Sequence, residues 1–404
     1  MYCEKITLKS GKISWSCVAD GPADPVTGKR KQIPRRGKTK REAMDRVNEA
    51  INSLTNDGID LSVGKNTTFD TLAAEWLVTY SLTGVKKNSV RIRRNEIDNL
   101  NSCFGKVPIV KITHSVYQNA LNELAPEFSR NTLQGINGTA GMIFRYATRV
   151  KKIKDDPTVG AIVPKKRKTV EEIKADPVEE SYLEHEELEE FLAAVTKYGL
   201  YLDLERFYTL AFTGMRSGEL CALQKEDLDF ENGIIKINKT LYSETNNMRL
   251  YELTPPKTDG SIRDIETEKP VMDMLKRIVR RNDKHKLQYR HMYDDFHDNN
   301  FVFCRDNGYP FAPKNILDRM NRLVEKTSIE KNATPHIFRH THISMLTEAG
   351  IDIATIMERV GHEDIETTMK VYTHVTNKMK KDASHKLTNL YGDILHNINF
   401  KLSK

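Results

Sequence analysis

Between residues 336 and 342 the chain packs His336, Arg339, His340 and His342 into the run HIFRHTH. His336 and His340 are four apart, so on a helix they share a face, as a zinc-binding pair would. The zinc-protease form of that spacing is H-E-x-x-H, whereas the interior here is Ile337-Phe338-Arg339. A guanidinium beside the ligands would repel a dication, and no cysteine or carboxylate pair follows to complete a metal site. An anion suits the pattern better, because a permanently charged planar donor flanked by imidazoles matches phosphate oxygens. Taken alone, the run is equally what a partly buried helix with internally satisfied histidines looks like.

Three further segments add chemistry of the same kind. In AFTGMRSGELCAL, Arg216 lies just past a helix stop at Gly214, and Glu219 three residues on can orient it. In PPKTDGSIRDI, Lys257 sits at the tip of a hairpin between alternating strands, with Lys239 and Lys269 as competing lysines. In VGHEDIETTMKVYTH, His362 falls at a helix boundary behind Gly361, and Tyr372 follows ten residues later near the end of a short helix. Two arginines, a lysine and a phenol would together answer the main obstacle to phosphodiester cleavage, which is the charge of the phosphate. A phenol ordinarily ionises near pH ~10, so it needs a cationic field or a base beside it to attack at neutral pH. A phosphotyrosine retains the bond energy, so such chemistry calls for no ATP and no metal. The chain carries no G-x-x-x-x-G-K-[ST] loop and no acidic metal cluster.

These segments, in this order, resemble the tyrosine recombinases, the phage and conjugative-transposon integrase family. The resemblance rests on T-G-M-R-S-G-E-L, the lysine in a β-turn, H-I-F-R-H, V-G-H, and Tyr372 in V-Y-T-H, over roughly residues 180–380. It implies that Arg216 and Arg339 clamp the non-bridging oxygens of a scissile phosphate. It implies that Tyr372 attacks to give a 3′-phosphotyrosyl link and that Lys257 protonates the departing 5′-oxygen. His336 would assist with the tyrosine proton, His362 would donate a hydrogen bond to the phosphate, and Glu219 and His340 would support them. Phe338 replaces the aliphatic residue the family usually has there, and His342 lies outside the family pattern. The partners implied are double-stranded DNA at core and arm attachment sites, three more copies of the chain in a tetramer, and an excisionase or host DNA-bending protein. A non-catalytic DNA-binding regulator on this fold and a type IB topoisomerase-like enzyme share much of the pattern; loss of Tyr372 separates the first from an enzyme.

Elements must hold these residues, and the chain is long enough for several domains. Its 404 residues, 38% hydrophobic and 29% charged, fit a soluble multidomain protein. No apolar run is long enough for a membrane span, and the N-terminus lacks a signal-peptide core. The five cysteines are scattered, which predicts ordinary free thiols in a reducing cytoplasm, and the resemblance implies a bacterial host and association with the nucleoid. The net charge of +7 is unevenly spread: residues 1–65 carry +5, residues 66–168 carry +9 and the remainder −7. A basic front half suits a polyanion. The cations expected to reach DNA are Lys29, Arg30, Lys31, Arg35, Arg36 and Lys38, then Arg91, Arg93, Arg94, Lys151 and Lys152.

The pattern predicts a mixed α+β, multidomain fold. Residues 1–62 alternate and then turn helical, and resemble an arm-type DNA-binding domain with a three-stranded sheet and one helix. Residues 66–163 read as helices with apolar stripes and basic faces, with Ser89 and Ser129 as N-caps, and resemble the family's all-α core-binding, SAM-like domain. Residues 164–180 read as a linker, and 181–380 as a mostly α catalytic domain with a small antiparallel sheet around the turns Asn232-Gly233 and Asp259-Gly260. Gly350 and Gly361 are placed to stop helices. The tail, 381–404, has helical spacing of Leu387, Leu390, Leu395 and Ile398, and the resemblance implies that it docks on a neighbouring protomer.

Overall fold

A computed structural model describes residues 1–7, 12–23, 30–52, 66–165, 178, 181–256, 259–361, 365–366 and 368–380. Lys29, Lys257, His362 and the tail from residue 381 therefore lie outside the described residues. The chain divides into two compact units, Met1–Thr169 and Val170–Lys404. No helix among the described residues is long and apolar enough to cross a membrane.

The first unit opens with strands β1 (Tyr2–Thr7), β2 (Ile13–Ala23) and β3 (Arg30–Gly37), an antiparallel sheet in that order. Helix α1 (Lys40–Asn52) packs on the sheet through Ala43, Val47 and Ala50. Its start is set by Thr39, whose hydroxyl accepts from the Glu42 N–H while the Glu42 carboxylate accepts from the Lys38 N–H. Alternation along β3 buries Ile33 and Gly37 and exposes Arg30, Gln32 and Arg36. The expectation of five free thiols fails here. The register sets Cys3 directly opposite Cys17, with Cα atoms 4.1 Å apart, and the two form a disulfide against α1. Sequence separation hides such a cross-strand pair, which only the register creates. Cys103, Cys221 and Cys304 are free.

Among the described residues the unit continues with helices α2 (Phe69–Ser81), α3 (Lys87–Phe104), α4 (His114–Leu124) and α5 (Arg130–Arg149). Their stripes meet in a core that includes Leu72, Leu100, Tyr117, Ile136 and Phe144. Ser129 caps α5 by accepting from the Thr132 N–H. Ser89 does not cap α3: its N–H already donates to the Lys86 carbonyl, so the helix starts three residues earlier than expected, with Lys86 as its N-cap.

The second unit is mostly helical: α6 (His185–Tyr198), α7 (Asp203–Thr213), α8 (Ser217–Ala222), α9 (Lys269–Tyr289), α10 (Pro313–Val324), α11 (Ile337–Glu348), α12 (Ile353–Val360) and α13 (368–380). Between α8 and α9 run β4 (Leu228–Asp229), β5 (Ile234–Ile237), β6 (Thr240–Tyr242), β7 (Glu252–Thr254) and β8 (Arg263–Glu266). They form a sheet β4–β5–β8 and a hairpin β6–β7. Phe338 completes an aromatic trio with Phe191 and Phe207, ring centroids 5.2–5.7 Å apart. An aromatic residue at 338 thus fills space at the centre of this core, directly behind Arg339.

Candidate active site

Gly214 ends α7 in the left-handed conformation, φ +63°, and the chain turns at once into α8, with Arg216 as its N-cap. Glu219, on α8's first turn, is buried and reaches back to its own turn. One carboxylate oxygen accepts from the Arg216 guanidinium at 2.8 Å, and the other accepts from the Arg216 N–H at 2.9 Å. The same carboxylate takes a second cation, Arg263 on β8, whose Nη2 lies 2.9 Å from Oε2. Burial raises the carboxyl's pKa, and the Arg263 and Arg216 charges outweigh it, so the net shift is downward. Arg263 is not among the residues that the motifs single out. Its signal was the alternation of β8, where Arg263 and Ile265 share the inward face: an arginine at an inward position needs a buried partner.

From the other side comes α11. Arg339 is fully buried, and its Nη1 donates to the Gly214 carbonyl at 2.9 Å. Its Nη2 donates to the Val360 carbonyl. Arg263 Nε donates to the Arg359 carbonyl at 2.9 Å and Arg216 Nη2 to the Gly361 carbonyl at 3.3 Å. Three arginines from three separate elements therefore converge on three consecutive carbonyls at the C-terminus of α12. Those are the acceptors that a helix end leaves unsatisfied, and the dipole there favours positive charge. Gly361, φ +65°, closes that end as the sequence pattern requires.

The histidines divide by environment. His336 is the residue before α11 and is exposed, its ring 4.8 Å from that of His340 in an edge-on arrangement. The surrounding protein, then His340, Arg339 and Arg216, push its pKa below the usual 6.5, which leaves the imidazole neutral near pH 7. His340 is pushed down by burial and by Arg339, and its Nδ1 is buried without a hydrogen-bond partner among the described residues. His342 points elsewhere, between α7 and α12. The zinc reading gains nothing from this geometry: among the described residues no three His, Cys, Asp or Glu side chains gather as metal ligands would.

Tyr372 is five residues into the described part of α13 rather than near a helix end, because nothing between 368 and 380 breaks the helix. It is half-buried and packs on the cluster of Ile343, Ile356, Val360 and Val371, which joins α11, α12 and α13. Of the competing lysines, Lys239 is tied to Asp227 at 2.6 Å, and Lys269 is exposed on the first turn of α9. In the first unit, Arg30, Lys31, Arg36, Lys38, Arg91, Arg94 and Lys151 are exposed. Arg35 is half-buried and donates to the Pro34 carbonyl. Arg93 is drawn inward, bonded to buried Glu96 at 2.7 Å and to Thr139 at 2.9 Å, and Lys152 is paired with Glu75 at 2.5 Å.

Three family models match the chain in order: an arm DNA-binding domain over residues 5–54, a phage integrase N-terminal SAM-like domain over 68–125, and the phage integrase family over 181–379. The integrase of Staphylococcus phage L54a is 31% identical over 356 residues, which are 86% of this chain and 98% of that protein. The chain belongs to the phage integrase family. Membership makes it a tyrosine recombinase, an enzyme of site-specific DNA recombination that serves a mobile element or prophage. Another relative, the probable integrase of prophage ps2 of Lactococcus lactis, is 29% identical over 88% of this chain and 92% of that protein. Two solved structures share the recombinase's fold. The Tn1549 transposon integrase, in complex with a circular intermediate DNA, gives a TM-score of 0.61 at 23% identity, over 78% of this chain and all of that one. A lambda integrase dimer bound to a COC′ core site gives 0.57 at 15% identity, over 91% and 94%.

Proposed function

We propose that this recombinase cuts and rejoins DNA through Tyr372, and the convergence of Arg216 and Arg339 on one helix end is the observation that carries the reading. The Tyr372 hydroxyl oxygen attacks the scissile phosphorus and forms a 3′-phosphotyrosyl bond. The bond to the 5′-oxygen breaks, and Lys257 gives that oxygen its proton. Arg216 and Arg339 hold the non-bridging oxygens, where charge builds in the pentacoordinate transition state. Two guanidiniums, Arg216 and Arg263, share the single Glu219 carboxylate, so the site is left cationic between them and favours an anion. A neutral His336 can accept the tyrosine proton. Burial and His340 lead the depression of its pKa, and an arriving phosphate counteracts the further part due to Arg339 and Arg216, so the base strengthens when substrate is present. His362 donates to the phosphate, and Glu219 and His340 hold the arginine and His336 in place. The attack of a free 5′-hydroxyl on the phosphotyrosine reverses the step, and no cofactor is needed.

Residues 1–62 would grip arm sites through the exposed face of the sheet. Residues 66–163 and 181–380 would both bind the core site, with 164–180 as the link and 381–404 docking on a neighbour. A lambda integrase tetramer has been solved on a Holliday junction, with a TM-score of 0.55 to this chain, which supports a tetramer exchanging strands in sequence. An excisionase or host bending protein would set direction, in the bacterial cytoplasm. The test is a nicked duplex carrying the junction sequence that flanks the element. The protein should become covalently attached to it, and Tyr372→Phe should bind the same duplex without attachment. No adduct on either flanking junction overturns the reading.

A further inference from the structure

His342 has no part in the chemistry above, yet it is 2% exposed and bonded through both ring nitrogens. Its Nε2 faces Arg359 Nε at 3.0 Å. A guanidinium only donates, so Nε2 is the acceptor and the proton belongs on Nδ1, which donates to the Ala211 carbonyl at 3.1 Å. The partners thus assign one tautomer of a neutral ring. Ala211 is in the last turn of α7, whose continuation is Gly214 and then Arg216. The ring also lies close against Gly214, where an added Cβ would come within 2.8 Å of it. On the far side, Arg359 opens the row of three carbonyls that receive Arg263, Arg339 and Arg216. His342 therefore spans the two walls of the clamp, the turn that delivers Arg216 and the helix end that receives it.

We propose that neutral His342 is a positioning residue, which ties the α7–α8 turn to the end of α12 and so sets the spacing of the two phosphate-holding arginines. The inference rests on the phosphotransfer reading. The charged groups that face the ring are Arg359, Arg339 and Arg263, all cationic, so a proton on His342 would oppose each of them.

The two bonds can be separated by substitution. His342→Gln can place a carbonyl oxygen near the Nε2 position and keep the Arg359 bond, whereas His342→Asn reaches only the Ala211 carbonyl. The measurement is the single-turnover rate of covalent attachment to the nicked junction duplex at saturating DNA, beside the affinity for the same duplex and the melting temperature. His342→Asn should lose about 10–100-fold in rate. Its DNA affinity should stay unchanged, and His342→Gln should recover most of the rate. Arg359→Met should slow attachment similarly, and adding His342→Asn to it should cost little more. Equal rates for Asn and wild type, equal losses for Asn and Gln, or losses that multiply in the double variant would overturn the inference while leaving the wild-type adduct, and the reading of Tyr372, intact. Absence of the wild-type adduct removes both. If His342→Asn does not fold, the Arg359→Met rate and its pH profile decide alone: unaltered attachment sinks the proposal, and slowed attachment at unchanged affinity upholds it.

Discussion

Glu219→Gln tests the heart of the site, because one buried carboxylate orders two of its three arginines. Glu219 is 3% exposed, Arg263 4% at its side chain and Arg216 36%. Glutamine keeps the shape and one acceptor oxygen, but its amide turns N–H donors toward one of two guanidiniums that have nothing to accept with. Removing one partner of a buried ion pair costs about 3–5 kcal/mol. The Arg263 contact carries most of this, since Arg216 is open enough to regain water. A loss of about 3 kcal/mol at the low end, in a unit of this size, corresponds to a melting temperature lower by about 6–12 °C. The assay is thermal and urea unfolding of the full chain, beside attachment to the nicked duplex, which should fall to background because Arg216 is no longer held. The decisive measurement is a double variant. If the charge of Arg263 is what Glu219 neutralises, Arg263→Met should cost far less in the Glu219→Gln background than alone, a coupling of about 2 kcal/mol. Additive losses, or a Glu219→Gln protein as stable as wild type, would show that the carboxylate is not the common counter-charge.

Other expectations follow from single contacts. Burial first, and then Arg359, push His342 down to about 3, so its contribution to stability is complete above its ordinary pKa of 6.5 and is lost as pH falls from there toward 3. Unfolding at pH 7 and pH 4 should differ on the order of 3 kcal/mol more in wild type than in His342→Gln, and equal pH dependence would contradict the assignment. Closing the Cys3–Cys17 loop, a separation of 14 residues, should stabilise the small sheet by about 3 kcal/mol. Dithiothreitol or Cys3→Ser should therefore speed proteolysis of the first 52 residues, and an unchanged cleavage rate would mean that the thiols stay reduced. Phe338→Ala should cost about 3–5 kcal/mol by opening the Phe191–Phe207–Phe338 trio. Phe338→Leu should cost under about 1.5 kcal/mol in urea unfolding.

What could be read from the chain divides along a physical line. Helix stops were legible because they are local, Gly214, Gly350 and Gly361 all taking positive φ, whereas of the two expected serine caps Ser129 caps its helix and Ser89 does not. Arg216, Glu219, His336, Arg339 and His340 were legible as a set because they come as short motifs on single turns, and the structure gathers them. Whatever depends on register was not legible. The Cys3–Cys17 pair exists because β1 and β2 align those residues, and Arg93 turns inward because a buried glutamate on the same helix meets Thr139 of α5. Seen as a sequence feature, each was only a cysteine in a scatter or a cation in a basic run.

The arginine cluster also explains why one helix end can serve as a site without a preformed cage for phosphate. A buried guanidinium must be hydrogen-bonded, and here the partners are mostly backbone carbonyls, which satisfy donors without neutralising charge. Carboxylates in their place would have given tighter pairs and a neutral site. By fixing Arg263, Arg339 and Arg216 on the Arg359, Val360 and Gly361 carbonyls, the fold orders the cations and keeps their charge available. The electrostatic work of arranging them is then done during folding, before any anion arrives, which is the condition under which oriented charge lowers a barrier most. It follows that substitutions which disturb the end of α12, such as Gly361→Ala at its left-handed cap, where an added Cβ would come within 3.0 Å of the Arg263 side chain, should slow attachment more than they weaken DNA binding. Equal effects on both would mean that the helix end contributes to DNA affinity alone.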